Sequence, residues 1–247
     1  MYEQGRAEII TKEFIKNNID ILGVTESQWL GSGESKHSSG VKIIYSGHNN
    51  LCFEHNQGVA LLLSTFAEHH LLAWKPHGPR MLEAFFKTAE KDVELRIILA
   101  YAPNNSTNQI EKDIFFQELK VMFLEGHKEN NMTLFLGDLD AVVGGDNTEL
   151  EHVMGKHGLG SINDNGAKLI KFCVENELTI GGTLFKHTHK GTLKSTDQSG
   201  EESAQVDHIC ISSAHKSCLR DVRVKKEADV LSDHYLLLAE VIMKYKR

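Results

Sequence analysis

The sequence has 247 residues, of which 40% are hydrophobic and 25% are charged. This composition is ordinary for a globular protein, and no apolar run approaches the ~20 residues that span a bilayer, so a membrane-spanning protein is excluded. The formal net charge of −7 gives no general excess of cations for binding nucleic acid. The amino terminus carries no apolar signal sequence, and we therefore expect a nuclear or cytoplasmic protein that is not secreted.

Hydrophobic periodicity predicts amphipathic helices at residues 6–17, 110–124 and 165–176. Short apolar runs rich in branched residues predict strands, and several are bounded by Gly, Asn or Ser. These runs are residues 19–24, 41–45, 58–63, 81–86, 93–101, 132–136, 178–180, 206–211 and 235–242. The strands outnumber the helices without strict alternation, which indicates an α+β fold or a sandwich flanked by helices. The sequence shows no internal repeat and no low-complexity linker, so we expect a single domain over residues 1–247. Residues 31–40 and 191–204, rich in Gly, Ser and charge, are expected to be mobile loops.

Carboxylates and a histidine stand directly beside four of the predicted strands. The four segments are VTE, ending at Glu26; LGDLD, with Asp138 and Asp140; QVDHI, with Asp207; and SDH, ending at His234. An acidic group just past a buried strand is held rigidly at a sheet edge, and several together can bind a hard cation. Each segment alone is more often a turn or a helix cap, but this order over more than 200 residues is much more specific.

Five short motifs follow one another along the chain in the order TESQW, YAP, GDLDA, QVDHI and SDH. With these motifs in this order, the sequence resembles the endonuclease/exonuclease/phosphatase superfamily. It is most similar to the endonuclease domains of RTE/LINE-type retrotransposons and to craniofacial development protein 2-like host proteins. The stretches NNIDILGVTE, QGVALLLS, MGKHGLG and NDNGAKLIKFC agree with this, and the resemblance covers essentially the whole chain. It implies a DNase I-like, four-layered α/β sandwich in which helices flank two packed mixed β-sheets.

The resemblance also implies a magnesium-dependent DNA endonuclease that nicks one strand by phosphodiester hydrolysis, with Mn²⁺ as a possible substitute for Mg²⁺. Glu26 and Asp233 would hold the metal. The implied catalytic residues are Asp138, Asp207, His234, Tyr101 and Asp140. Asp138 would activate the attacking water, and His234, oriented by Asp207, would stabilise charge on the phosphate. Tyr101 would contact a phosphate oxygen. We expect a monomer that acts on DNA and not at a membrane.

The sequence departs from the pattern of this family at three places. Asp140 stands where the family has an asparagine, and an ionised carboxylate cannot replace an amide donor, whose loss costs ~100- to 1,000-fold in rate. The resemblance places the family's first strand before Met1 and its reverse transcriptase after Arg247, so we expect this sequence to lack both. The DNA-facing stretch with Thr192, Lys190 and Lys194 lacks the usual Trp and Pro.

These departures leave functions of different classes open. The first is an endonuclease whose activity is impaired. The second is a catalytically inactive, domesticated or relic domain that acts at most as a binding protein. A third, a phosphatase for a small phosphoester, would use the same metal chemistry, and only the analogy with retrotransposon domains argues against it.

Overall fold

A computed structural model describes residues 5–49, 57–126, 128, 130–187, 205–225, 232 and 234–243. Within these ranges the chain forms four α-helices, two 3₁₀ turns and twelve strands. The helices are α1 (Arg6–Lys16), α2 (Thr65–His70), α3 (Gln109–Glu125) and α4 (Asp164–Glu175), and the 3₁₀ turns are Gly181–Thr183 and Ser213–Cys218. A search of the same residues finds no helix that is both long and apolar enough to cross a membrane.

The strands belong to three sheets. The strands are β1 (Ile21–Thr25), β2 (Ser32–Lys36), β3 (Lys42–Ser46), β4 (Val59–Leu63), β5 (Leu71–Pro76), β6 (Met81–Lys87), β7 (Glu94–Tyr101), β8 (Met132–Asp138), β9 (Leu178–Ile180), β10 (Asp207–Ser212), β11 (Leu219–Lys225) and β12 (Leu236–Val241). A four-stranded antiparallel sheet has the order β1-β4-β3-β2, and a six-stranded mixed sheet has the order β5-β6-β7-β8-β10-β9. Strands β11 and β12 form a separate antiparallel pair.

Three apolar clusters divide the molecule into four layers. One cluster packs α3 and α4 on the outer face of the six-stranded sheet, around residues such as Phe135 and Leu169. A second fills the space between the six-stranded sheet and a layer that contains both β4 and the β11–β12 pair. A third packs Phe14 of α1 against the four-stranded sheet. The predicted four-layered α/β sandwich is therefore confirmed.

The local structure agrees with the sequence where the hydrophobic pattern is strong. All three predicted helices form within one or two residues of the predicted bounds, and asparagine side chains cap two of them: Asn108 accepts a hydrogen bond from Glu111 N, and Asn163 accepts one from Gly166 N.

The prediction of a mobile loop at residues 31–40 is wrong, because this segment contains β2. Its residues Ser-Gly-Glu-Ser-Lys have no apolar alternation, but they pair along their whole length with β3. Pairing with a neighbouring strand decided this structure, and a local sequence pattern cannot report it. The other predicted loop, residues 191–204, lies outside the described residues.

Candidate active site

Three neighbouring strands bring Tyr101, Asp138 and Asp207 side by side at one end of the six-stranded sheet. Strands β7 and β8 run parallel and pair Tyr101 with Asp138, while β10 runs antiparallel to β8 and pairs Asp207 with Asp138. Gly137 allows this close approach, because a Cβ at that position would lie 1.8 Å from Ala100 O. Its φ of 151° also favours glycine. The G-D motif therefore has a geometric reason as well as a chemical one.

Glu26 reaches the same end of the sandwich from the four-stranded sheet. It follows β1 directly, and the Tyr101 hydroxyl donates a hydrogen bond to Glu26 Oε1 at 2.5 Å. The Glu26 backbone is left-handed, with φ of 52°, and the next two residues are tied down by hydrogen bonds from Ser27 N to Gly58 O and from Gln28 N to Gln57 O. Burial and the hydrogen bond to Glu26 raise the pKa of the Tyr101 hydroxyl, which therefore stays protonated and acts as a donor.

His234 joins the two carboxylates from the residues just before β12. Its Nδ1 lies 2.9 Å from Asp207 Oδ2, and its Nε2 lies 4.0 Å from Asp138 Oδ2. The contact with Asp207 fixes the ring and assigns the proton on Nδ1 to that hydrogen bond. The Nε2 edge therefore faces the space in front of Asp138.

The pKa of Asp138 is raised from 3.8 to about 7. Burial is the largest cause, and the nearby charge of Asp207 adds to it, while His234 and the hydrogen bond from Asp140 N oppose it. A carboxylate with such a pKa exchanges its proton near neutral pH, which is the property that a general base requires.

The donor atoms at this end of the sheet suit a divalent cation. Ligand atoms of Asp138, Asp207 and His234 lie within 4.8 Å of one another, and the carboxylate of Glu26 is adjacent through Tyr101. Carboxylate oxygens are hard ligands that Mg²⁺ and Mn²⁺ prefer. Burial and then the neighbouring charge of Asp207 raise the pKa of Asp138, and a cation bound beside the carboxylate would favour its ionised form.

Asp140 lies beside this cluster, with its carboxylate held by the loop after β7. Its Oδ2 accepts a hydrogen bond from Asn105 N at 2.6 Å, and its own N donates to Asp138 Oδ1 at 3.2 Å. Its backbone is left-handed, with φ of 42°, a conformation that Asp and Asn tolerate better than most residues. Asp140 thus contacts Asp138 through its backbone, and its side chain offers no hydrogen-bond donor while ionised.

Sequence analysis did not single out three residues that support the site. The guanidinium of Arg80 stacks 5.0 Å from the Tyr101 ring, and its Nη1 donates to Tyr101 O and Ala102 O. The fully buried Asn165 donates to Pro103 O and Leu139 O, and its N donates to Asn105 Oδ1. Asn163 Nδ2 donates to Asp140 O. Asn163 is the N-cap of α4 and Asn165 is its second residue, so a helix-capping pattern was the available signal for Asn163 alone.

The structure brings together six of the predicted site residues, namely Glu26, Tyr101, Asp138, Asp140, Asp207 and His234. Asp233 and the predicted DNA contacts Thr192, Lys190 and Lys194 lie outside the described residues.

Comparison with known proteins identifies relatives in sequence. No model of a known protein family matches the chain. Craniofacial development protein 2 of Bos taurus is 31% identical over 242 residues, which are 98% of this chain and 39% of that protein, and the protein of that name from Tragulus javanicus is 30% identical. The chain therefore spans about two fifths of the length of these curated relatives.

Solved structures share the fold at low sequence identity. The endonuclease domain of TRAS1, a telomere-specific non-LTR retrotransposon, superposes with a TM-score of 0.65 at 13% identity and covers 98% of this chain and 94% of its own. The 3′ phosphatase NExo from Neisseria, bound to a product DNA hairpin, superposes with a TM-score of 0.63 at 15% identity. The superposition covers 96% of this chain and 95% of the NExo chain. The chain is thus a homologue of part of craniofacial development protein 2, with the fold of the endonuclease/exonuclease/phosphatase superfamily.

Proposed function

We propose that this chain is a magnesium-dependent phosphodiesterase of retrotransposon origin that nicks DNA. The observation that carries the proposal is the cluster of Asp138, Asp207 and His234 in front of the Glu26–Tyr101 pair. An excess of carboxylates at the end of a sheet, with one pKa near neutrality, is costly unless it binds a cation and an anionic substrate. DNA is proposed as the substrate because similar structures include a retrotransposon endonuclease domain and a phosphatase bound to a DNA hairpin.

Each residue has a role that follows from its contacts. Ionised Asp138 accepts a proton from the attacking water, because its pKa of about 7 matches the working pH. Asp207 holds His234 through Nδ1, and the Nε2 edge is then directed to stabilise negative charge on the scissile phosphate. Glu26, with Asp233 beside His234 in the sequence, would hold Mg²⁺, which when bound neutralises and polarises the phosphate.

Tyr101 and Arg80 complete the proposed phosphate-facing surface. The Tyr101 hydroxyl donates its single proton to Glu26, so it would serve a phosphate oxygen only after releasing that hydrogen bond. Arg80 holds the ring in place by stacking on it and by donating to the backbone carbonyls of Tyr101 and Ala102. A DNA substrate fits the nuclear or cytoplasmic location expected from the sequence.

A second function, a catalytically inactive binding domain, is favoured by one observation. Asp140 occupies the position where the family has an amide, and its ionised side chain only accepts, with Oδ2 already bonded to Asn105 N. In that case the chain would still bind a divalent cation at the carboxylate cluster but would not cleave DNA.

A plasmid-relaxation assay distinguishes the two functions. With Mg²⁺ or Mn²⁺ we expect conversion of supercoiled to open circular DNA, complete loss with a chelator, and a loss of at least ~100-fold in Asp138→Asn, which cannot accept the proton. Asp92→Asn, a change of an exposed acid in the turn before β7, serves as the matched control and should nick normally. Absence of nicking by the unchanged chain with either metal would support the inactive domain, and equal nicking by Asp138→Asn would contradict the proposed site.

A further inference from the structure

Helix α3 carries apolar residues on two opposite faces. One face packs, through residues such as Phe115 and Leu119, into the apolar cluster on the outer side of the six-stranded sheet. The opposite face carries four large apolar residues that are between 45% and 73% exposed, namely Ile110, Ile114, Val121 and Leu124. A surface helix normally places polar residues opposite its buried face, so this second apolar face requires its own explanation.

The exposed apolar residues follow the spacing that helices use to pack against one another. Alternating steps of four and three residues lead from Ile110 to Ile114, Gln117, Val121 and Leu124, and we call these five residues the α3 seam. At 3.6 residues per turn, the five positions stay within about 80° of the helix circumference and extend over about 21 Å. This is the pattern of a coiled-coil interface, in which a single polar residue such as Gln117 can fix the register.

One side of the α3 seam is acidic. Glu111, Glu118 and Glu125 follow one another there at intervals of seven residues, and all three are exposed. Glu111 lies 3.8 Å from Arg80, but its side chain is 51% exposed, so this pair is weak and well screened. A row of three carboxylates repels phosphate groups and attracts Lys and Arg. The charge beside the seam therefore disfavours DNA and favours a polypeptide with basic side chains.

The other side of the α3 seam lies along α4, and its charges are already paired. Lys168 Nζ of α4 lies 2.5 Å from Asp113 Oδ1. Lys120 Nζ lies 2.7 Å from Glu175 Oε2 of α4. The acidic side is therefore the one whose charge a partner has to match.

A second copy of the chain does not match this surface. If two α3 helices packed antiparallel, the acidic side of one would face the acidic side of the other, and like charges in these positions oppose pairing. If they packed parallel, the acidic side would face Asp113 and Lys120. Asp113 would again oppose a glutamate, and Lys120 is already bound to Glu175.

We propose that the α3 seam binds an amphipathic helix of another polypeptide. That helix carries apolar residues at the same alternating steps and Lys or Arg beside them, facing the row of glutamates. Recognition of this kind uses apolar anchors at helical spacing for affinity and flanking charges for the choice of partner. Binding on α3 needs neither a metal nor the cleavage of DNA, so it is tested independently of the proposed function.

The test uses a fluorescent 21-residue peptide with blocked ends, made of three repeats of Lys-Leu-Ala-Ala-Leu-Lys-Gln. Its leucines form one apolar stripe with lysines on both sides, so either orientation presents lysine to the glutamates of α3. The same lysines oppose association of the peptide with itself. In fluorescence anisotropy at physiological salt we expect a saturable 1:1 complex with a Kd below ~100 µM.

Two variants and a control locate the binding surface. Val121→Asp puts a charge into the α3 seam and should weaken binding at least ~10-fold, whereas Val174→Asp, at a 42% exposed position on α4, should bind normally. Glu118→Lys should weaken binding about fivefold. It should strengthen, by a similar factor, the binding of a second peptide in which Glu replaces every Lys. Circular dichroism checks that each variant is folded.

The proposal is overturned if the lysine peptide does not bind, if it binds Val121→Asp as well as the unchanged chain, or if the glutamate peptide binds the unchanged chain equally well. It is also overturned if sedimentation shows self-association that Val121→Asp abolishes, since a second copy then covers the seam. Capture of the chain by vesicles of phosphatidylcholine and phosphatidylserine, lost in Val121→Asp, would overturn it in favour of a lipid surface. The plasmid assay decides separately whether the chain nicks DNA.

Discussion

The six-stranded sheet carries one buried and one partly buried group of charged residues, and the two groups are organised in opposite ways. In the first group, Arg96 is fully buried, and its Nε donates a hydrogen bond to Glu83 Oε1 at 2.6 Å. Its Nη1 donates to Phe123 O and its Nη2 to Met122 O, both at 2.8 Å. Burial raises the pKa of Glu83, but the hydrogen bond from His77 and the charge of Arg96 outweigh it, so the pKa of Glu83 lies below its ordinary value. The positive charge of Arg96 balances the negative charge of Glu83, and the hydrogen bonds of Arg96 to Met122 O and Phe123 O connect α3 to the sheet.

The second group, Asp138 with Asp207 and His234, has more acids than bases. Here burial and the neighbouring carboxylate raise the pKa of Asp138 to about 7. The comparison shows that burial alone does not mark a functional charge, because Arg96 is more buried than Asp138. What distinguishes the second group is charge that the protein itself leaves uncompensated, at an end of the sheet that solvent can reach.

The largest expected effect is on the balanced group. Arg96→Met leaves Glu83 buried opposite no guanidinium and also removes two bonds to the end of α3, so the free energy of unfolding should fall by about 3–5 kcal/mol. Urea denaturation at pH 7 measures this. Lys168→Met, which breaks the more exposed pair with Asp113, is the matched control and should cost about 1 kcal/mol or less. Equal losses in the two variants would show that the Arg96 pair is not a structural element of the core.

The second prediction concerns the unbalanced group and its pH dependence. The pKa of Asp138 in the folded state lies above its unfolded value, so folding favours the protonated carboxyl. The stability that protonated Asp138 contributes is fully present below about pH 4 and is lost as the pH rises through 7. Asp138→Asn removes the titration. The variant should therefore gain stability relative to the unchanged chain between pH 4 and pH 8, by up to about 4 kcal/mol.

Urea denaturation of both proteins at several pH values gives this difference directly. Asp92→Asn, at an exposed position, should show no such trend. A stability difference between Asp138→Asn and the unchanged chain that stays constant with pH would mean that Asp138 is not held in an environment that disfavours its charge.

The third prediction addresses Asp140. Asp140→Asn keeps an oxygen that can accept from Asn105 N, keeps a residue that tolerates a φ of 42°, and adds an amide donor beside Asp138. If the proposed function is right, we expect nicking to become about 10- to 100-fold faster in single-turnover measurements. Asp113→Asn, an exposed acid on α3, controls for the loss of one negative charge. An unchanged rate would locate the impairment elsewhere in the chain.

The smallest expected effect is stabilisation by the cation itself. Mg²⁺ at ten times its Kd should stabilise the fold by about 1.4 kcal/mol at pH 8, a rise of roughly 2–5 °C in thermal midpoint. The rise should shrink at pH 5, because Asp138 is then protonated, and it should disappear in Glu26→Gln if Glu26 is a ligand. Differential scanning fluorimetry measures both, and a rise that survives at pH 5 in Glu26→Gln would point to a cation site outside this cluster.

The sequence by itself determined the elements with strong hydrophobic patterns and the chemistry at their ends. Helices α1, α3 and α4 follow from 3.6-residue periodicity, and the strand runs with their flanking Glu26, Asp138 and Asp207 could be recognised in order. These features are local, because a segment's side chains carry the information about which of its faces is buried.

Tertiary structure alone decided which of these residues meet. The polar strand β2 exists because β3 pairs with it, and the register of β7, β8 and β10 places Tyr101, Asp138 and Asp207 in one row. The stacking of Arg80 on Tyr101 and the raised pKa of Asp138 likewise depend on contacts between segments far apart in the chain. Pairing, desolvation and cavities are properties of neighbours in space, and a linear sequence specifies them only through the completed fold.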